Sequence, residues 1–381
     1  MIYADFNATA PVRPEARDAM LAALDVGANP SSVHGPGRAA RKLLETARSQ
    51  VAVAIGARAQ DVIFTSGGTE ASALALNGIV AQLDRKCTLL VSAIEHEAVM
   101  KNAGYAGVAI ETAYVTADGV LDLNWLGERL SRWDTDRDGM PVLALMLANN
   151  ETGVIQPVAE AATLVREAGG LTHCDAVQGL GKVMVNVNLL GVDYLALSAH
   201  KVGGPQGVGA LWVRSGAPLK PVLFGGGQER SLRSGTENLS GIAGFGAATE
   251  AAIRDMPTLQ ALSEQRDALE AKLVSEAGVT VFGTNVERLP QTSNFAIPGF
   301  RAETQVMAMD LAGVAVSSGS ACSSGKVKRS LVLSAMGVDD DLSASAIRVS
   351  FGWSTQPGDF DAVAEAWLAA AKRAVGASVP L

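Results

Sequence analysis

At 381 residues, 48% of them hydrophobic and 40 of them glycine, the chain is long enough for two domains and suits an α/β enzyme with many tight strand-to-helix turns. A formal net charge of −8 argues against a nucleic-acid or anionic-membrane surface, and no apolar run is long enough to span a bilayer. Three scattered cysteines, Cys87, Cys174 and Cys322, form no CxxC pair, which excludes a disulfide framework or structural zinc site; with no targeting segment in the opening Met-Ile-Tyr-Ala-Asp-Phe-Asn, a cytoplasmic protein is expected.

From about residue 16 to 250, helical and strand patterns alternate, predicting a mostly parallel sheet covered by helices. Arg38–Ile55 has helical spacing, Asp61-Val-Ile-Phe-Thr65 reads as a short strand, and Thr69–Val80 as the helix after it. Strand-like runs recur at Cys87–Ser92, Val108–Val115, Pro141–Leu147, Leu171–Cys174 and Val192–Leu197. A polar–apolar helix over Leu259–Ser275 then leads into shorter strands and loops. The expected division is a large domain over 16–250 and a smaller α/β domain made of 1–15 with 251–381.

The segment Asp193-Tyr-Leu-Ala-Leu-Ser-Ala-His-Lys201 is a buried strand ending on a lysine. Desolvation favours a neutral amine, the nucleophile of Schiff-base chemistry. A solvated strand-end lysine is the ordinary alternative. The following Gly203-Gly-Pro-Gln-Gly-Val-Gly209 lets backbone approach a ligand. Upstream, Thr65-Ser-Gly-Gly-Thr69-Glu70 joins a strand to a helix, where free N–H groups and the helix dipole favour a phosphate; a plain N-cap on Thr69 is the alternative. Neither Gly181-Lys182, which lacks the upstream glycine of a P-loop, nor Gly204–Gly209 fits a nucleotide fingerprint.

In His173-Cys-Asp175-Ala-Val-Gln178, Asp175 falls at a strand's C-terminal edge, where open α/β sheets bind ligands. It could pair with a protonated ring nitrogen, and Gln178 could meet a ring oxygen; a surface salt bridge is the alternative. His96 starts a helix after another strand, placed to stack on a ring, to move protons, or merely to cap the helix.

A Schiff-base lysine, a strand-end aspartate, a phosphate cup and a histidine together describe a pyridoxal-phosphate site. The chain resembles the class V aminotransferases and, within them, the cysteine desulfurases of the nitrogen-fixation and iron–sulfur-cluster type. The resemblance runs through Asn29-Pro-Ser-Ser-Val-His34, Thr65–Glu70, Glu95-His-Glu-Ala98, Ala148-Asn-Asn-Glu-Thr-Gly153, His173–Gln178 and Ser198-Ala-His-Lys201. It continues through Gly225-Gly-Gly-Gln-Glu-Arg230, Arg233-Ser-Gly-Thr-Glu237, Ser317-Ser-Gly-Ser-Ala-Cys322 and Ile347-Arg348.

The resemblance implies a fold-type I pyridoxal-phosphate transferase. It assigns Lys201 to the cofactor Schiff base, Asp175 to the pyridine nitrogen, Gln178 to the ring hydroxyl and His96 to the ring face. Gly68, Thr69, Ser198 and His200 would hold the phosphate, Thr236 would reach the phosphate of a second subunit in a homodimer, and Asn150 and Arg348 would grip the substrate carboxylate. Cys322, in a loop of small residues, would take sulfur from L-cysteine as a persulfide, leaving alanine. His96 would handle the substrate thiol's proton. Cys87 and Cys174, in apolar strands, read as structural. No intrinsic metal site is implied, although Cys322 could serve as a transient iron–sulfur ligand shared with a scaffold protein.

Two departures stand out. The basic run Lys326-Val-Lys-Arg329 follows the cysteine where relatives often carry Leu-Glu-Pro, and the chain ends at Leu381 without the longer tail of scaffold-binding members. These leave the sulfur acceptor open, whether an iron–sulfur scaffold or another carrier. A selenocysteine lyase, another class V lyase or aminotransferase, and a non-catalytic desulfurase-like partner of a sulfur-transfer complex are the rival readings.

Overall fold

The computed structural model describes residues 1–318 and 329–375. The chain opens with a short strand, β1 (Ile2–Tyr3), and two helices, α1 (Pro14–Val26) and α2 (Gly35–Ala54). Strands β2 (Val62–Thr65), β3 (Cys87–Ser92), β4 (Ala109–Ala113), β5 (Met140–Met146), β6 (Leu171–Asp175), β7 (Tyr194–Ser198) and β8 (Gly209–Val213) then build one 7-stranded sheet in the order β2-β8-β7-β6-β5-β3-β4. The run from β7 to β4 is parallel, and β8 is antiparallel to both its neighbours. A mostly parallel sheet is therefore present, as expected, with an antiparallel edge that the glycine-rich run before β8 concealed.

Side-chain alternation along each strand feeds two separate cores. Phe64, Leu143, Leu145, Leu195 and Leu197 pack with Leu44 and Val51 of α2 and with Phe245. Ile63, Leu89, Val142, Tyr194 and Ala196 pack instead with Leu74 and Ile79 of α3 (Gly68–Gln82) and Val99 of α4 (Glu97–Tyr105). Helices cover both faces, so these strands are almost continuously apolar rather than alternating.

A second sheet has the order β12-β13-β10-β9, formed by β9 (Thr280–Val281), β10 (Thr292–Ala296), β12 (Ser317–Ser318) and β13 (Ala346–Ser350). Its own core gathers Phe295, Ile347, Phe351 and Trp367, whose indole N–H donates to Gln305 Oε1 at 2.7 Å. The start of the chain belongs to this half: β1 pairs in parallel with β11 (Val314–Ala315), and Asp5 bridges to Ser350.

One helix differs from the sequence expectation. Leu259–Ser275 spans parts of two helices, Leu239–Gln260 and Leu262–Ala277, separated by a one-residue turn at Ala261. Pro257 lies in the last turn of the first and withholds a backbone donor there. Among the described residues, no helix is long and apolar enough to cross a membrane.

Candidate active site

The parallel strands bring their C-terminal residues to one edge: Met146 from β5, Asp175 from β6 and Ser198 from β7. A cavity of ≈ 470 Å³ opens there. Gly68, Thr69, His96, Asn150, Asp175, Gln178, Ser198, His200, Lys201 and Arg348, separated by up to 280 positions in the sequence, all line it.

Lys201 follows β7 through a single 3-10 turn, Ala199–Lys201. Its Nζ donates to the carbonyls of Asn7 at 2.6 Å and Ala8 at 2.8 Å. Burial, then repulsion from Arg348, lowers its pKa to about 8, against the opposing pull of Asp5 and Asp175. About a tenth of the amine is thus neutral at pH 7, far more than at the ordinary lysine value, which favours Schiff-base chemistry.

Asp175 is buried at the end of β6, and its Oδ1 accepts from the Val177 N–H at 2.9 Å. Burial raises its pKa, while that hydrogen bond, His96 and Lys201 pull it back. Behind it, the fully enclosed Glu95 accepts from the Met146 N–H at 2.5 Å. Burial, reinforced by repulsion from Asp175, keeps the Glu95 carboxyl protonated well above the ordinary range.

His96 both lines the cavity and caps α4, its Nδ1 accepting from the Ala98 N–H at 3.1 Å. That bond places the proton of the neutral ring on Nε2. At α3 the N-cap is Gly67, with no side-chain cap, so Thr69 lies inside the first turn instead of capping it. Uncapped N–H groups at a helix start form a ready anion site. A Cβ on Gly68 would lie 2.7 Å from Val177 Cγ2, so glycine keeps this rim open. His200 shares a 2.6 Å hydrogen bond with Thr9, and burial, followed by repulsion from Lys201, drops its pKa to about 4.

Arg348 is 2% exposed. One terminal nitrogen donates to Asn150 O at 2.9 Å and the other to Asp5 Oδ1 at 2.7 Å, while its buried Nε has no protein partner. A guanidinium that lines the cavity suits a carboxylate ligand.

Thr236 is not in this cavity. It is exposed and lines a smaller hollow with Thr65, Ser66 and Arg233. Cys322, Lys326 and Lys328 lie outside the described residues, whereas Arg329 forms an exposed ion pair with Asp340. Burial pushes the Cys87 thiol to about 11 and the Cys174 thiol well above its ordinary value, fitting inert, structural cysteines.

The structure adds residues that the sequence did not single out. Asn7, 1% exposed, receives Lys201 and Gln178 on its carbonyl and reaches Asn150 O and Thr292 with its own amide. Asp5 and Glu95 stand next to Arg348 and Asp175. Lys182, set aside above as a failed P-loop, lies buried against Gln178. The one signal in the sequence was a lysine four residues after Gln178.

These walls fit pyridoxal phosphate: an amine of lowered pKa, a buried carboxylate, an open helix N-terminus and a histidine plane share one cavity of suitable size. Comparison with known proteins agrees. The Aminotransferase class-V family profile matches residues 2–363. A protein named cysteine desulfurase IscS from Dictyoglomus turgidum is 40% identical over 367 residues, covering 94% of this chain and 92% of its own. One named cysteine desulfurase from Cereibacter sphaeroides is 41% identical over 372 residues, covering 96% and 94%. The X-ray structure of a NifS-like protein from Rickettsia africae superposes with a TM-score of 0.89 at 35% identity, covering 97% of this chain and 99% of that one. The chain belongs to the class V aminotransferase family.

Proposed function

We infer that this chain is a pyridoxal-phosphate-dependent cysteine desulfurase. It removes sulfur from L-cysteine, releases L-alanine and holds the sulfur as a persulfide on Cys322. The observation that carries this reading is the Lys201 amine, lowered to about 8, sharing a cavity with Asp175 and Arg348 in a chain that is 40% identical to a cysteine desulfurase. Cys322 in its serine–glycine segment adds the sulfur chemistry.

Lys201 would carry the cofactor, Asp175 would face its ring nitrogen, Gln178 its ring hydroxyl and His96 its ring face. Gly68, Thr69, Ser198 and His200 would surround the phosphate. With its Nδ1 against Thr9, His200 would offer its other ring nitrogen to the phosphate. The bound cofactor supplies an aldehyde for the substrate amine and a ring that withdraws electrons from Cα.

The protein's own groups do the rest. Arg348 and Asn150 orient the substrate carboxylate. The free Lys201 Nζ would take the Cα proton, steadied by the carbonyls of Asn7 and Ala8 to which it donates. His96 handles the proton of the substrate thiol through Nε2, because Nδ1 is committed to the helix. The Cys322 thiolate attacks the substrate sulfur: an S–S bond forms as the Cβ–S bond breaks, and the electron pair stays with the three-carbon fragment that becomes alanine.

A homodimer is part of this proposal, because exposed Thr236, outside its own cavity, suits contact with a neighbouring subunit. Residues 16–250 are proposed as the cofactor domain and 1–15 with 251–381 as the small domain, supported by two sheets with separate cores. The persulfide's acceptor is proposed to be an iron–sulfur scaffold or another sulfur carrier, in the cytoplasm.

The test supplies purified protein with L-cysteine and a reductant, and measures sulfide and alanine together with Cys322→Ala as control. Equal yields, lost in the variant, are expected. Turnover without alanine, or indifferent to Cys322, would overturn the reading.

A further inference from the structure

Lys182 is 5% exposed, yet among the described residues it forms no ion pair. Its Nζ has two recorded partners, both amide oxygens: Gln178 Oε1, in close contact, and Asn7 Oδ1 at 3.4 Å. A buried ammonium without a counter-charge is strongly disfavoured, and its third N–H would be left over. A neutral amine has two N–H groups for two acceptors. Burial, then Lys201 and Arg348, all drive the group toward that form.

Lys182 does not line the main cavity, whereas Gln178 and Asn7 do. A carboxamide offers an acceptor on one side and two donors on the other. With Gln178 Oε1 turned back onto Lys182, its Nε2 is the group left for the front, where one hydrogen goes to Asn7 O at 2.9 Å. The same amine draws Asn7 Oδ1 inward, while Asn7 Nδ2 donates to Asn150 O and Thr292 Oγ1. Lys182 thereby sets the direction of the Gln178 amide, while Asn7 Oδ1 accepts equally from Gln291 Nε2 at 3.4 Å.

We propose that Lys182 is a positioning residue for the cofactor site: by donating to Gln178 Oε1 it holds the Gln178 amide so that Nε2–H, and not the oxygen, faces the ring hydroxyl. This rests on the reading of Gln178 as the partner of that hydroxyl. Without Lys182 only the Nε2–H bond to Asn7 O still directs the amide, and a turned-over amide would present an acceptor to an oxygen that carries negative charge. The chromophore of the bound cofactor would then hold its proton to higher pH.

The experiment is a pH titration of the bound cofactor's absorbance in the holoenzyme, with dissociation of the cofactor followed in parallel. Lys182→Met removes the donor but keeps the length, and Lys182→Gln keeps a neutral donor. For Lys182→Met the apparent pKa should rise by about one unit, the scale of one hydrogen bond to a charged group. Gln178→Ala should match that rise, and the double variant should rise no further than Gln178→Ala alone. Lys182→Gln should titrate like the wild type. Lys182→Leu serves if Lys182→Met does not fold.

A shift in Gln178→Ala without one in the apolar Lys182 variants would overturn the role of Lys182 and leave that of Gln178 standing. Additive shifts would also overturn it, since independent packing effects add. An unshifted Gln178→Ala would overturn the assignment of Gln178 itself, and with it the inference.

Discussion

Arg48 and Glu229 form a two-pronged ion pair in the interior, with contacts of 2.6 and 2.8 Å and side chains 3% and 1% exposed. Glu229 also accepts from the Phe64 N–H at 2.9 Å. It begins three consecutive non-glycine residues in the left-handed region, Glu229, Arg230 and Ser231, with φ of 44°, 55° and 63°. Each costs on the order of 1 kcal/mol or more, so the ion pair is what holds this turn. Arg48→Met should lower stability by about 3–5 kcal/mol, because it leaves the Glu229 carboxylate buried without its ion-pair partner, whereas Glu229→Gln should cost less, because Arg48 keeps Glu45 at 3.1 Å. Urea unfolding of the holoenzyme measures this. A loss below ~1 kcal/mol would show that the turn holds itself.

Loading of cofactor-free protein should follow the neutral fraction of Lys201. The rate of its reaction with pyridoxal phosphate should climb with pH and level off above about 8. Arg348 pushes the amine down and Asp175 pulls it up. Arg348→Leu should therefore move the midpoint to higher pH and Asp175→Asn to lower pH. Stopped-flow absorbance across roughly pH 6–10, the range that brackets an amine lowered by burial, reads all three.

Glu151 accepts a 2.6 Å hydrogen bond from Ser330, and burial raises its pKa from 4.5 to about 7, opposed by Ser330 and Arg348. A carboxyl that holds its proton more tightly when folded stabilises the fold below its unfolded pKa. That contribution disappears as pH rises from the ordinary carboxylate range through 7. Glu151→Gln should be nearly neutral at acidic pH. Above pH 8 it should be more stable than the wild type by up to about 3 kcal/mol. Denaturation midpoints at the two ends of that window provide the comparison, and equal offsets at both ends would refute the assignment.

Gly68→Ala would drive a methyl group to within 2.7 Å of Val177 Cγ2, at the open start of α3. The helix must shift away from β6, and the phosphate site moves with it. Cofactor affinity should fall by about tenfold, equivalent to roughly 1.4 kcal/mol, while the unfolding of cofactor-free protein changes less. Gly68→Ala,Val177→Ala should recover most of the affinity by removing the obstructing methyl. Fluorescence titration with pyridoxal phosphate gives both values.

What the sequence made legible follows from chain locality. Lys201, Asp175 and Gln178 announce themselves because strand ends in a parallel sheet converge, so a titratable residue after an apolar run is already close to placed. The His96 cap and the glycines at α3 are equally local. Asn7 could not be found that way: nothing in Asp5-Phe-Asn-Ala marks an asparagine whose partners are Lys201, Asn150 and Thr292. Lys182 looked like a remnant of a nucleotide motif, and its burial without a carboxylate appears only in three dimensions. The helical period over Leu259–Ser275 ran through the turn at Ala261 because polar and apolar residues continue across it.

The start of the chain closes the site that its middle builds. β1 is held by β11, Asp5 by Ser350 and Arg348, and Asn7 by Ser350 and Thr292, while the Asn7 and Ala8 carbonyls hold the Lys201 amine. A nascent chain can therefore make the whole seven-stranded sheet, Lys201 included, while Gln178, His200 and Lys201 hold residues 7–10 and the second sheet that anchors Asp5 and Asn7 is still missing. Completion of the cofactor cavity waits for β13, among the last strands to be synthesised, and so becomes a late, long-range event in folding.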